Sequence, residues 1–192
     1  MDRNKILDLL SCHVSPARLK HCIQVEETAL SLAPRFGVDP DLVVPAALLH
    51  DLCREYKPDS LLKLAINFGI VIDDIERIEP LLLHGFVAAS LAGEKLGIND
   101  PAVLEAISFH ITGGAEISSL AKLIFIADSI EPGRSYAEAR ILREQAQCIE
   151  PDTLLLKVYH QTIFYVLKHG YLIHPRSIAG RNELIKKGVR EI

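Results

Sequence analysis

No block of lysine and arginine runs anywhere along the 192 residues, whose 21 basic and 25 acidic side chains leave a formal charge of −4. Without such a block there is no sequence-independent attraction for a phosphate backbone, so a protein that coats nucleic acid is excluded. A small polyanion, for which a metal ion and a few local arginines suffice, is not. No run reaches the roughly 18 apolar residues of a membrane span, and Met1-Asp2-Arg3-Asn4-Lys5 leads only into a short apolar piece. We therefore expect a soluble, cytoplasmic chain with no membrane partner. Cys12, Cys22, Cys53 and Cys148 contain no C-x-x-C pair, which argues against a zinc finger or a disulfide framework and for reduced thiols, with Cys22 and Cys53 as small core residues. Strand-like alternation is never sustained, and there is no internal repeat, low-complexity tract or linker.

What is present is helical spacing and a large apolar fraction, 49% of residues, enough for one compact all-α domain over residues 1–192. Ser15-Pro16 pairs an N-cap with a proline at the first helical position and opens a helix to about Phe36, closed by Gly37, with Pro34 expected to end regular hydrogen bonding a turn earlier. Asp39-Pro40 repeats the start signal for a helix carrying His50 and Asp51, with Pro45 marking a kink or a later start. Further helices are expected over Asp59 to Phe68, from near Pro80 towards Gly97, from Pro101 to near His110, and, capped by Ser118-Ser119, from Leu120 to Asp128, stopped by Glu131-Pro132-Gly133. Two more run from Ala137 to Cys148 and from Pro151 to His169, and a last one follows a Gly170 to Pro175 loop through Arg181 and Lys187.

Inside this pattern some polar side chains are out of place. His50-Asp51 ends the apolar stretch Val43-Val44-Pro45-Ala46-Ala47-Leu48-Leu49, and Asp128 follows five apolar residues. A buried carboxylate loses several kcal/mol of hydration unless a cation or several donors replace the water. With His21, His84 and His110, each on a different helix, these make a six-residue set suited to a metal. Each member also has a plainer reading: a lone histidine as a hydrogen-bonded core residue, Asp128 as an acceptor for the Pro132-Gly133 turn. His13 in a short polar loop, His160 at mid-helix and His169 at a helix C-terminus need no ligand.

The order His21, His50-Asp51, Asp128 resembles the H…HD…D signature of HD-superfamily metal-dependent phosphohydrolases, an all-helical group. Arg18-Leu19-Lys20-His21, Leu82-Leu83-His84-Gly85, Phe109-His110-Ile111-Thr112-Gly113, Ala127-Asp128-Ser129-Ile130-Glu131-Pro132-Gly133-Arg134, Ile173-His174-Pro175 and Arg181-Asn182 extend the likeness to the YqeK-type branch, whose members are similar to symmetrically cleaving bis(5′-nucleosyl)-tetraphosphatases. The resemblance implies one or two transition-metal ions, most simply iron. His21, His50, Asp51 and Asp128 would be first ligands, and His84 and His110 either ligands of a second ion bridged by Asp51 or direct partners of phosphate.

Catalytic roles then fall to Asp51, His84 and His110. Substrate contacts fall to Arg18, His21, Arg54, His84, His110, Ala127, Asp128, Arg134, Gly170, Tyr171, His174 and Arg181, with the Gly170 to Pro175 loop suited to a nucleobase and Tyr171 equally suited to core packing. Glu131 is read either as orienting a metal-bound water or as a helix-end salt bridge. The implied reaction is hydrolysis of diadenosine tetraphosphate to two ADP. The alternatives are an HD-type nucleotidase or phosphodiesterase on a mononucleotide, and a non-catalytic nucleotide sensor. A homo-oligomer stays open.

Overall fold

Proline in the first turn, preceded by a cap whose side-chain oxygen accepts a first-turn amide, opens three of the described helices. Ser15 accepts the Arg18 amide at the start of α2 (Pro16–Phe36), Asp39 the Asp41 amide at α3 (Pro40–Leu49), and Asp100 the amides of Ala102 and Val103 at α7 (Pro101–Phe109). Each supplies an acceptor to helix donors that have no intrahelical partner. Left-handed glycines close two helices, Gly37 after α2 and Gly97 after α6 (His84–Leu96).

The computed structural model describes residues 2–190, and among these every regular element is helical. The remaining helices are α1 (Arg3–His13), α4 (Pro58–Asn67), α5 (Asp74–Ile78), α8 (Ser119–Ile130), α9 (Ala137–Gln145), α10 (Pro151–Lys168) and α11 (Pro175–Lys186), with a 3-10 turn over Pro80–Leu83. No helix among them is long and apolar enough to cross a membrane.

The all-α expectation holds; several boundaries differ. Pro34 lies inside α2, where it only removes a donor one turn before the end, and the Gly37 amide still reaches the carbonyls of Ala33 and Pro34. Pro45 likewise sits within α3 without moving its start. That helix stops at Leu49, so His50 and Asp51 are not on it: His50 is its C-cap and Asp51 belongs to the following turn. The helix expected from Pro80 is a 3-10 turn followed by α6, which begins at His84 itself. His13 ends α1 rather than lying in a loop, and its Nδ1 is 2.7 Å from the Tyr56 hydroxyl.

At the centre stands α8, whose Leu120, Ala121, Leu123, Ile124, Phe125, Ile126, Ala127 and Ile130 are all buried. Helix α2 packs on α3 and α8, and α7 on α6, α3 and α8. Fully buried alanines, Ala29 and Ala33 on α2, Ala46 and Ala47 on α3 and Ala106 on α7, keep these contacts thin. Small contact residues bring helix axes closer together, so side chains from the helix ends meet in the interior.

A candidate metal centre

Three of the four clustered histidines stand at helix ends, and the local backbone dictates how they point. The Nδ1 of His50 lies 2.6 Å from the Ala47 carbonyl, that of His84 2.5 Å from Leu81, and that of His110 2.7 Å from Ile107, in each case three residues back. A carbonyl oxygen has two lone pairs, so each can accept the Nδ1 proton, that of Leu81 beside the His84 amide it already takes. The fourth, His21 in α2, places its Nδ1 3.1 Å from Glu131 Oε1. With Nδ1 turned to an oxygen in all four rings, every Nε2 faces the interior, where a neutral imidazole offers a lone pair.

Those nitrogens converge. The Nε2 atoms of His21 and His50 are 3.3 Å apart, and those of His84 and His110 3.1 Å. Neutral rings facing each other this way would repel unless a cation lay near both nitrogens. Between the pairs stands Asp51, 3% exposed. Its Oδ1 is 3.0 Å from His84 Nε2 and 3.5 Å from His110 Nε2, while its Oδ2 is 3.5 Å from the Nε2 of both His21 and His50. Asp128 closes the first group, Oδ1 lying 3.1 Å from His21 Nε2 and 3.9 Å from His50 Nε2. One carboxylate with an oxygen towards each histidine pair, together with those imidazoles and Asp128, is a donor set that suits a divalent metal.

Two arginines face the same carboxylates, Arg18 Nη1 at 2.7 Å from Asp51 Oδ2 and Arg134 Nη2 at 2.6 Å from Asp128 Oδ1. Burial pushes the Asp51 carboxyl up, but the surrounding imidazoles prevail and hold it well below the usual carboxylate range. Asp128 is held low in the same way, burial being outweighed by Arg134 and His21. For His21, burial lowers the pKa while hydrogen bonds to Asp128 and Glu131 raise it to about 9. Burial and the neighbouring His110 push His84 down, against the pull of Asp51, which keeps its lone pair free at neutral pH. An ion must therefore displace a proton from His21 but not from His84.

Residues 18–133 match the HD domain family. The chain belongs to that family. A symmetrical bis(5′-nucleosyl)-tetraphosphatase of Halalkalibacterium halodurans is 34% identical over 96% of this chain and 98% of its own length. One of Bacillus subtilis is 28% identical over the same shares. A Clostridium acetobutylicum crystal structure, described as a predicted HD superfamily hydrolase involved in NAD metabolism, superposes with a TM-score of 0.92 at 34% identity, covering 97% of this chain and 98% of that one.

The HD fold thus brings six of the expected residues into one buried cluster, with Arg18 and Arg134 at its edge. Others lie apart from these contacts. Ala127 is buried beside Asp128, and the Arg54 amide donates to the Asp51 carbonyl. Tyr171 is 55% exposed, against the core-packing alternative, and stacks on His169 at 5.8 Å between centroids, with Gly170 left-handed before it. Arg181 Nε reaches His160 Nε2 at 3.1 Å. The plainer reading of Asp128 fails: Glu131, not Asp128, accepts the Gly133 amide, and the Asp128 carbonyl takes the Arg134 Nε at 2.9 Å.

His174 caps α11, its Nδ1 accepting the Arg176 amide at 3.1 Å. The proton is then on Nε2, which faces Asp73 Oδ2 at 2.9 Å and Glu76 Oε1 at 3.7 Å. Although Asp73, Glu76 and His174 have the composition of a metal site, this tautomer offers no lone pair, and Arg176 Nη1 already occupies Glu76 Oε1 at 2.7 Å. The trio is a clasp. Sequence reasoning missed it, although the Asp73-x-x-Glu76 capping box was readable.

Proposed function

We propose that this HD-domain protein is a phosphoanhydride hydrolase that cleaves diadenosine tetraphosphate between its middle phosphates, giving two ADP. The observation that carries the chemistry is the convergence of four imidazole Nε2 atoms on one buried carboxylate; the substrate follows from the names of relatives matching nearly the whole chain. In this reading His21, His50, Asp51 and Asp128 would hold one transition-metal ion, and His84 and His110 could with Asp51 hold a second. Mixed imidazole and carboxylate ligation accommodates iron, manganese, cobalt or zinc, and the family resemblance selects iron. The metal supplies an acidified water and polarises the phosphoryl oxygens.

The chain's own residues do the rest. Asp51 sets the spacing between the two histidine pairs. Arg18 and Arg134, with side chains 25% and 36% exposed, face both the carboxylates and solvent, so each can take a phosphate oxygen as the polyphosphate arrives. Tyr171, held out by the left-handed Gly170, offers a ring for a base, with His174 fixing the far end of its loop and Arg54, Ala127 and Arg181 bordering the nucleotide. The substrate is a small molecule, and cytoplasmic residence fits such a substrate.

Anion-exchange analysis of products from purified, manganese- or iron-loaded protein with diadenosine tetraphosphate tests the reading. ADP alone is expected. ATP plus AMP means attack at another phosphate and overturns symmetric cleavage; release of phosphate from mononucleotides without dinucleotide cleavage transfers the site to a nucleotidase.

A further inference from the structure

We propose that Arg143, on α9 and outside residues 18–133, is a positioning residue of the metal centre: it fixes the 130–134 turn on which Glu131 and Arg134 stand. Helix α8 ends at Ile130, leaving carbonyls with no helical donor. The Arg143 guanidinium takes three from this turn, Nε to the Ile130 carbonyl at 2.5 Å and Nη2 to those of Glu131 and Arg134 at 2.6 and 2.9 Å. A planar fork with fixed donor directions restrains all three together, which a lysine ammonium does not.

Both functional side chains of that turn point at the centre. Glu131 Oε1 holds the Nδ1 of His21, and Arg134 binds the Asp128 carboxylate and carbonyl. Glu131 thus does for His21 what helix carbonyls do for the other three histidines, but from a loop instead of a helix. An open cleft of about 260 Å³, lined by Thr28, Leu32, Ile130, Pro132 and Arg143 itself, lies beside the turn. Arg143 has a firm base. Ala139 and Leu142 of α9 are buried, and Arg35 of α2 donates to the Gln147 and Ile149 carbonyls at 2.8 and 2.7 Å. The connection therefore runs in a circuit, from α2 through Arg35 to the chain just after α9, from α9 through Arg143 to the turn, and through Glu131 back to His21 on α2.

The inference concerns ion binding and rests on the metal reading of the centre, not on the identity of the nucleotide. Its test is the rate at which manganese-loaded protein gives up its ion to excess chelator, for wild type, Arg143→Ala, Glu131→Gln and the double variant. Loss of an outer partner of a ligand costs about 10–100-fold in metal affinity, so each single variant is expected to release manganese at least about tenfold faster. The double variant is expected to exceed Glu131→Gln by at most the share carried through Arg134, and to fall well short of the product of the two single effects, because Arg143 acts through the turn that holds both side chains. Unchanged release from Arg143→Ala, or multiplied effects in the double variant, would overturn the proposal, the latter marking a general loosening of the fold. Arg143→Lys, which keeps stem and charge but loses the fork, carries the same comparison if the alanine variant does not fold. Failure to cleave diadenosine tetraphosphate leaves this assay intact, whereas failure to take up manganese overturns the positioning role along with the metal reading.

Discussion

A buried imidazole has two nitrogens, and the one that is satisfied decides what the other can do. In His50, His84 and His110 a carbonyl three residues back takes the Nδ1 proton, leaving Nε2 as a base aimed at Asp51. Asp51→Asn keeps the shape but removes the charge that faces both histidine pairs. Metal-borne charge stabilisation is worth several kcal/mol, so kcat is expected to fall on the order of a thousandfold while circular dichroism stays unchanged; full activity at unchanged metal content would refute the centre. Asp51 was legible in the sequence because a carboxylate after seven apolar residues needs an explanation. The Glu131 to His21 contact was not, since 110 residues separate the partners and nothing local distinguishes it from a helix-end salt bridge.

Glu76 presents a second residue-scale case, with the sign fixed by its surroundings. Burial pushes its carboxyl up, but His174, the Asp73 amide and Arg176 prevail and lower it from 4.5 to about 2. A depressed folded-state value contributes stability that is fully present above 4.5 and lost as pH falls through about 2. The contribution is on the order of 3 kcal/mol. Urea unfolding should therefore find wild type more stable than Glu76→Gln near neutral pH, with the gap shrinking towards pH 2; a gap independent of pH would exclude the clasp as an ionic one.

At the scale of elements, the meeting of α6 and α7 is decided by Gly85. A Cβ there would stand 2.8 Å from the carbonyls of both Ile107 and Ser108 and 3.2 Å from His110 Nδ1. Alanine raises helix propensity by about 1 kcal/mol, but overpacking against backbone costs about 1–3 kcal/mol, and the atoms that must yield carry His110. Gly85→Ala is expected to lose stability by about 1 kcal/mol net. Activity is expected to fall further, up to about a hundredfold for a shift approaching about 1 Å. A variant more stable than wild type and equally active would show that the two helices separate freely. Most helix starts were legible because proline and cap lie together in sequence, as at Ser15-Pro16 and Asp100-Pro101. The ends were less so: α3 stops at Leu49 because His50 turns its side chain back on Ala47, and Arg143 meets carbonyls whose identity depends on how α9 folds back.

On the scale of the molecule, the residues beyond the HD match act as a brace for the centre. Arg176, at the start of α11, lies 4.8 Å from the Phe86 ring centroid and 5.8 Å from that of Phe109. Those rings neighbour His84 and His110 in sequence, so one cation holds α11 against both helices that carry the second histidine pair. Four helices deliver imidazole nitrogens to one spot beside two carboxylates, a set that a cation completes. An ion that binds only the folded chain should therefore stabilise it as a whole, by about 2.7 kcal/mol at a hundredfold excess over its dissociation constant. For a chain of this size each kcal/mol is worth about 2–4 °C, so manganese is expected to raise the melting temperature by roughly 5–10 °C and a chelator to reverse the gain. The same ion should leave Asp51→Asn almost unmoved, because that variant loses the carboxylate shared by both pairs. An equal shift in wild type and variant would place the stabilising ion elsewhere on the molecule, while no shift in wild type would mean that the four histidines meet for a reason other than metal.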